Sequence, residues 1–333
     1  MTAAAPAVQT VLGPIEVDRL GVVLMHEHVI TRSPGLAADY PSTYPRAEAA
    51  SRSIDGLGAL RECGIDTIVD HTTYDLGRDV ELLAEVSQAS GVQIVAATGV
   101  WIDPQRYWQK RAATESAELL ISDLEEGIAG TGIRAGVIKC AVDVAGMTDP
   151  VERVLRACAI AHRTTGAHVS THTDVAGRVG LDQLRVFSEE GVNPRRVVVG
   201  HCGDTEDLVY LRELLEAGAY LGMDRFGVED LLADSKRMDV VATLCGDGHA
   251  DSLLLSQDAS FWNDRVPPSE ILRLRPLWHH RHVKEDIVPG LLERGVSADQ
   301  IDRMLVGNPR AIFESAWPYP GDPSPAATKN AWD

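Results

Sequence analysis

Apolar runs alternate with amphipathic segments along most of the chain. Eight short runs are rich in Val, Ile and Leu, and they cover residues 21–28, 67–72, 92–100, 136–143, 168–173, 196–202, 219–227 and 252–260. Their nearly continuous apolar character is typical of strands buried on both faces, as in a parallel sheet. The sequence therefore predicts eight strands of a parallel α/β protein.

The segments between these runs have helical periodicity and recognisable helix ends. In "TDPVERVLRACAIAHRTTG", Asp149 has the position of an N-cap and Pro150 follows it, which predicts a helix start. Near the carboxyl terminus, Ser297 and Gln300 have the spacing of a capping box. Eight strand–helix units in 333 residues predict a single-domain (β/α)8 TIM barrel.

The alternative architecture is a doubly wound open sheet. Such sheets often carry a G-x-G-x-x-G loop after the first strand, and this sequence has none there. We expect residues 1–7 and about 318–333 to be loose tails, because they are rich in Ala, Pro and Gly. The stretch from about 259 to 281 follows the last run without a clear element, and a loop of that length is usually functional.

Composition narrows the function classes. The formal net charge of −18 argues against nucleic acid or an anionic membrane as a partner, since both require basic patches. The five cysteines form no C-x-x-C pair, so we expect free thiols in a reducing compartment. No apolar run approaches the ~20 residues of a membrane span, and the first ten residues do not resemble a secretory signal. We therefore expect a cytoplasmic protein that acts on a small molecule.

Ionisable side chains stand at the carboxyl ends of five of the predicted strands. In a (β/α)8 barrel this is the end that carries the active site. The residues concerned are His26, His28, Lys139, His172, His201 and Asp258. A single histidine at a strand end is more often a hydrogen-bonded core residue, but imidazole and carboxylate together are the ligand set of zinc, iron, manganese or cobalt. Their recurrence around one barrel favours a metal centre, in which Asp258 is both ligand and proton acceptor.

Lys139 is unusual because it lies inside the apolar run "GVIKCAV". A buried lysine can form a structural ion pair, or it can be a neutral amine that forms Schiff bases. A third interpretation is that burial lowers its pKa and the free amine takes up carbon dioxide. We favour the third, because four histidines and one aspartate are few ligands for two cations unless an anion bridges them. A second H-x-H, at His280 and His282, lies outside the strand ends and is expected to be structural.

Several motifs in order resemble the phosphotriesterase family of the amidohydrolase superfamily over about residues 8–315. The motifs are "GPIEVDRLGVVLMHEH", "GIDTIVDHT", "LGRDV", "AGVIKCAVD", "STHT", "VVVGHCGDTEDL", "GMDRFG", "LLSQD" and "NPRAIF". The resemblance implies a (β/α)8 barrel with two divalent metal ions, Zn²⁺ or else Co²⁺, Mn²⁺ or Fe²⁺, and a homodimer. His26, His28 and Asp258 would hold the more buried ion, and His172 and His201 the more exposed one. Carboxylated Lys139 and a hydroxide would bridge the two ions.

Within that family the sequence is most similar to the phosphotriesterase-like lactonases. The resemblance lies in "GMDRFG", which places Arg225 near the pocket, and in the stretch after Asp258. That stretch would line an acyl-chain channel with Trp262, Leu274 and Trp278. Trp101 stands where lactonases usually carry a tyrosine, so we include it among the substrate-binding residues.

The expected function is metal-dependent lactone hydrolysis. The substrates would be N-acyl-homoserine lactones, which implies quorum quenching, or related γ/δ-lactones, opened by attack of the bridging hydroxide. The resemblance also implies promiscuous phosphotriesterase activity. The alternatives are an organophosphate triesterase, another amidohydrolase-type esterase or carbamate hydrolase, and a Schiff-base lyase using Lys139.

Overall fold

The computed structural model describes residues 6–314. Within this range the strands are β1 (Ala7–Thr10), β2 (Gly13–Glu16), β3 (Val23–Thr31), β4 (Thr67–Asp70), β5 (Gln93–Gly99), β6 (Val137–Val142), β7 (Val169–Thr173), β8 (Val197–Val199), β9 (Tyr220–Met223), β10 (Leu253–Leu255) and β11 (Ser260–Asn263). The α-helices are α1 (Pro34–Asp39), α2 (Arg46–Glu62), α3 (Val80–Ser90), α4 (Arg106–Lys110), α5 (Ala113–Glu125), α6 (Asp149–Thr165), α7 (Gly180–Glu189), α8 (Leu208–Glu216), α9 (Asp234–Gly246), α10 (Pro268–Leu274), α11 (Val288–Glu293), α12 (Ala298–Asp302) and α13 (Asn308–Glu314).

Strands β3 to β10 form the barrel. Each pairs in parallel with the next along the chain, and helices cover the outside of the sheet. The two ends of the sheet meet where the segment after β10 reaches β3: the Asp258 amide donates to the His26 carbonyl (3.1 Å), and the His28 amide donates to the Ala259 carbonyl (2.9 Å). All eight predicted strands are present, and the predicted (β/α)8 barrel is confirmed.

The long stretch after β10 is more ordered than its sequence suggested. It contains β11, which pairs with the outer part of β3, and α10. The capping box at Ser297 is confirmed, but α6 begins one residue earlier than predicted, because Thr148 is its N-cap and Asp149 is already helical. Ala7 belongs to the β1–β2 hairpin and not to a loose tail, and the predicted tail at 318–333 lies outside the described residues.

Apolar side chains fill two regions, one inside the barrel and one between sheet and helices. Met25 belongs to the interior cluster, and the next residue, His26, also faces the barrel interior. Two successive residues can point the same way because the pairing of β3 with β4 shifts register between Leu24 and Glu27. Before this register shift, β3 contributes apolar side chains to the barrel interior. After it, the same strand directs polar side chains into the interior. Across residues 6–314, none of the helices has the length and apolar character that crossing a membrane requires.

Candidate metal centre

Four of the six predicted metal ligands meet at the carboxyl end of the barrel, namely His26, His28, Asp258 and Lys139. His28 Nε2 lies 3.1 Å from Asp258 Oδ1, and His26 Nε2 lies 3.6 Å from the same oxygen. Lys139 Nζ lies 3.1 Å from His26 Nε2, and its side chain is 2% exposed. These three contacts join residues that are 113 to 232 positions apart in sequence (258 − 26 = 232 for His26 and Asp258), so the barrel brings four distant groups to one point.

The remaining two predicted ligands face each other beside this group. His201 Nε2 lies 2.9 Å from His172 Nδ1. The ring of His201 stacks on that of His26 with centroids 5.0 Å apart, so the two clusters are adjacent. The structure therefore brings together all six residues that we predicted as ligands from the strand ends.

Asp224, at the end of β9, orients one histidine from each cluster. Its Oδ2 accepts from His26 Nδ1 (2.6 Å), and its Oδ1 accepts from His201 Nδ1 (2.9 Å) and from the His201 amide (2.8 Å). Burial alone would raise the pKa of Asp224, but the two imidazoles beside it hold that pKa below its usual range. Because Asp224 accepts from both Nδ1 atoms, both Nε2 atoms keep a free lone pair directed into the site.

Thr72 orients the third histidine in the same way. Its hydroxyl donates to the Ile30 carbonyl (3.1 Å), so it must accept from His28 Nδ1 (2.8 Å). His28 Nε2 is then left with a lone pair that faces the Asp258 carboxylate. Two electron-rich atoms at this distance repel each other unless a cation lies between them. The donor set therefore fits a metal ion, and His26, His28 and Asp258 form a group whose ligand atoms all lie within 4.8 Å of one another.

The protonation states in the site also suit metal binding. Burial, with a further contribution from Lys139, lowers the pKa of His26 to about 4, and burial lowers the pKa of Lys139 to about 8. Burial acts to raise the pKa of Asp258, but His26, the His28 hydrogen bond and Arg225 hold it well below its usual range. At neutral pH the site thus offers a neutral His26 imidazole and an ionised Asp258 carboxylate, which are the forms that ligate metals.

A cavity of about 250 Å³ opens above the six ligands. Trp101, Arg225 and Trp278, three of the five predicted substrate-binding residues, line it together with apolar Leu76 and Leu231. Trp101 lies edge-on to His172, with centroids 6.4 Å apart, and the guanidinium of Arg265 stacks on its indole. The cavity thus has a polar floor and partly aromatic walls.

The other two predicted substrate-binding residues lie elsewhere. Trp262 is 8% exposed and packs in the core between sheet and helices, since its segment continues the sheet as β11 and pairs Trp262 with Ile30. Leu274 ends α10 and is 59% exposed. Neither is among the described residues that line the cavity, so their assignment to an acyl channel is corrected.

The second H-x-H motif contributes no side chain to the cavity. His280 Nε2 donates to the His28 carbonyl (3.1 Å), and its ring stacks on Phe261. His282 lies between the carboxylates of Asp234 (2.7 Å) and Asp286 (2.8 Å). Both rings hold the outer layer in place, as their position outside the strand ends predicted.

Comparison with known proteins places the chain in a family. A family model described as the phosphotriesterase family matches residues 6–313. A phosphotriesterase homology protein of Mycobacterium tuberculosis is 44% identical over 94% of this chain and 99% of its own length. An aryldialkylphosphatase of Saccharolobus solfataricus is 34% identical over 90% of this chain and 96% of its own length. A solved structure of the phosphotriesterase from Mycobacterium tuberculosis superimposes with a TM-score of 0.90 at 44% identity, covering 93% of this chain and 98% of that one.

The chain belongs to the phosphotriesterase family, which is a family of binuclear metal hydrolases. The predicted resemblance is confirmed, and so is the prediction of a hydrolase. This membership weighs against the Schiff-base lyase, as does the position of Lys139 Nζ against His26 Nε2.

Proposed function

We propose that the protein is a metal-dependent lactonase whose substrates are N-acyl-homoserine lactones or related γ/δ-lactones. The observation that carries this proposal is the arrangement of a basic residue, a proton acceptor and a partly apolar cavity around the ligand set. Arg225 Nε donates to Asp258 Oδ2 (3.1 Å) at the cavity floor, while the aromatic walls suit an acyl chain. The lactonase-like "DRFG" segment supplies Arg225.

His26, His28 and Asp258 would hold one metal ion, and His172 and His201 the other, with carboxylated Lys139 between them. Two divalent ions would polarise the acyl oxygen and lower the pKa of water to supply the nucleophile. The position of Lys139 supports the bridge, because its amine lies among the ligands and burial lowers its pKa towards the neutral form that reacts with carbon dioxide.

Asp258 is the residue placed to move the proton. Its Oδ1 faces the histidines and its Oδ2 accepts from Arg225, which also donates to Asp204 (2.9 Å). A guanidinium remains charged and cannot accept a proton. In the proposed reaction Asp258 passes the proton that it takes up to the alkoxide of the opened ring, and Arg225 keeps the carboxylate oriented for both transfers.

The test compares lactone and phosphotriester turnover by one preparation. We expect octanoyl- or dodecanoyl-homoserine lactone to be hydrolysed with a kcat/KM at least about 10²-fold above that for paraoxon, and Asp258→Asn to lower both by about 10²-fold or more. Arg273→Gln is the control, because Arg273 is exposed on α10 and, among the described residues, its ion pair is with Glu270. Strong paraoxon turnover with no lactone turnover would refute the lactonase.

Organophosphate hydrolysis is the second candidate. It is favoured by the name of the Saccharolobus relative, an aryldialkylphosphatase at 34% identity. The same ligand set can polarise a phosphoryl oxygen, so the two reactions share a centre and differ in the fit of the substrate to the cavity. The ratio measured above decides between them.

A further inference from the structure

Glu27 lies between two ligands of the metal centre but points away from them. His26 and His28 face the barrel interior, whereas the Glu27 carboxylate turns to the other side of β3 and is completely buried. There it accepts from the Gln257 amide (2.8 Å, Oε1) and from the Ala259 amide (3.0 Å, Oε2). These two amides belong to the residues immediately before and after Asp258.

The contact matters because Asp258 has a strained backbone. Its φ is +55°, in the left-handed region that non-glycine residues rarely adopt. Such a conformation is strained and persists only where the surroundings impose it. β10 has already ended at Leu255, so a regular ladder does not impose it here.

Glu27 supplies what the ladder lacks. The Asp258 amide donates to the main chain of β3, and the amides on either side of it donate to the Glu27 side chain. Ser256, next to Gln257, also ties this segment to β3, because its hydroxyl oxygen accepts from the His26 amide (2.9 Å). The seam of the barrel is thus closed by main-chain hydrogen bonds at Asp258 and Ala259 together with the Glu27 carboxylate, which accepts from the amides on either side of Asp258.

We propose that Glu27 is a positioning residue, which clamps the segment around Asp258 so that this carboxylate is held towards His26 and His28. An apolar side chain at this position would leave both flanking amides without an acceptor, so the carboxylate fixes the backbone on either side of Asp258. Both carboxylate oxygens are used, one for each flanking amide, and a side-chain amide can accept only one of the two.

The segment that carries the second H-x-H motif, His280 and His282, also supports the Glu27 contacts. Gln257 Nε2 donates to the His280 carbonyl (2.8 Å), and Trp278 Nε1 donates to the Gln257 carbonyl (2.8 Å). His280 Nε2 in turn lies 3.6 Å from Glu27 Oε2. This segment therefore packs against the clamp from outside and gives His280 a role in it.

The experiment compares Glu27→Gln with Asp66→Asn in the full-length enzyme as purified. Asp66 is the control, because its carboxylate also accepts from a main-chain amide, that of Val22 (2.8 Å), but just before the start of β3 and away from Asp258. The first readout is amide exchange of a peptide spanning 256–260, followed by mass spectrometry. The second is kcat and KM per folded, metal-loaded chain, on the substrate that the lactone and paraoxon comparison identifies.

In Glu27→Gln we expect exchange of this peptide to accelerate by about tenfold or more and kcat to fall about 10–100-fold, with KM within about twofold. Asp66→Asn should leave both readouts within about twofold. Equal effects of the two variants, or no change in exchange for Glu27→Gln, would overturn the proposal. Since exchange does not depend on the substrate, this result is separate from the fate of the lactonase proposal.

A milder variant covers the case in which Glu27→Gln does not fold. Glu27→Asp keeps the carboxylate but shortens the side chain by one methylene, so that it no longer spans both flanking amides. We expect about threefold faster exchange of the same peptide and a kcat lowered by a similar factor. Exchange and kcat both equal to wild type would overturn the proposal as well.

Discussion

Asp224 is the residue whose replacement most sharply tests how the histidines are oriented. It accepts three hydrogen bonds, two from imidazole Nδ1 atoms and one from a main-chain amide. Asp224→Asn keeps the volume of the side chain but replaces one acceptor oxygen by an NH₂ donor. Either His26 or His201 must then present an unprotonated Nδ1 to that donor, and its proton moves to Nε2, where it blocks the lone pair needed for metal binding.

The expected magnitude follows from the contacts. A hydrogen bond to a charged group contributes about 1.5–3 kcal/mol, and one such bond is reversed here. A weakening of about 2–3 kcal/mol corresponds to a roughly 30–150-fold loss of affinity for one metal ion, in line with the 10–100-fold effects typical of residues that support metal ligands. The other histidine keeps its tautomer, so the second ion should be held nearly as in the wild type.

The assay is a titration of Asp224→Asn with a chelator, with metal content measured by mass spectrometry at each step. We expect one of two ions to leave at a chelator concentration about 10–100-fold lower than in the wild type, with a parallel fall in kcat. Asp230→Asn is the control, because this carboxylate is exposed at the rim and pairs with Arg275. Retention of both ions and a wild-type kcat in Asp224→Asn would refute the tautomer argument.

Three further predictions concern the rest of the centre and the fold. Lys139→Ala should lose activity by about 10³-fold or more, and short carboxylic acids should restore part of it; a variant with full metal content and rate would exclude the bridge. His282 is buried, which lowers its pKa, but hydrogen bonds to its two carboxylate neighbours prevail and raise the pKa above 6.5. The charged form therefore stabilises the fold below pH 6.5, and this contribution is lost as the pH rises through the folded-state pKa. His282→Asn should lower the free energy of unfolding in urea by about 1–3 kcal/mol near pH 5.5 and by less near pH 9. An equal loss at both pH values would contradict this prediction. Gly99 has φ +132°, and a Cβ at this position would lie 1.8 Å from the Lys139 carbonyl oxygen. Gly99→Ala should therefore destabilise the fold by about 4 kcal/mol or more, against about 1 kcal/mol for Gly64→Ala, where a Cβ meets no atom within 4 Å. Similar shifts in melting temperature for the two variants would contradict this prediction.

The barrel and its ligands could be predicted because both depend on local patterns. A strand buried on two faces must be apolar along its length, so each polar residue at its end is conspicuous. His26, His28, Lys139, His172 and Asp258 all stand out in this way. The shared direction of parallel strands then places these ends at one face of the barrel without any further information.

The residues that orient the ligands could not be predicted in the same way. Thr72 is an ordinary residue after a strand, and its partner His28 is 44 positions away. Asp224 stands out in the sequence at the end of the apolar run 219–227. Its two imidazole partners, however, lie 198 and 23 positions away and come together only when the barrel forms. The clearest signal in the sequence is a carboxylate in an apolar run. It indicates that the carboxylate has a hydrogen-bonding partner but not which residue that partner is.

Trp262 and Leu274 show the opposite difficulty. Both are apolar residues in a stretch without a recognisable element, and their exposure depends on how that stretch folds. Pairing of β11 with β3 turned Trp262 into a core residue, and α10 left Leu274 towards solvent. Composition alone did not distinguish these outcomes from a cavity wall.

The proposed metal-dependent lactonase is tested most directly by measuring bound metal and the rate of lactone hydrolysis on the same samples. Chelator-treated protein is reloaded stepwise with Zn²⁺, and bound metal and kcat are determined on the same samples. We expect lactone hydrolysis to be lost on chelation and to return in proportion to bound metal, saturating at about two ions per chain. Full lactonase activity in protein that retains no metal would contradict the proposal.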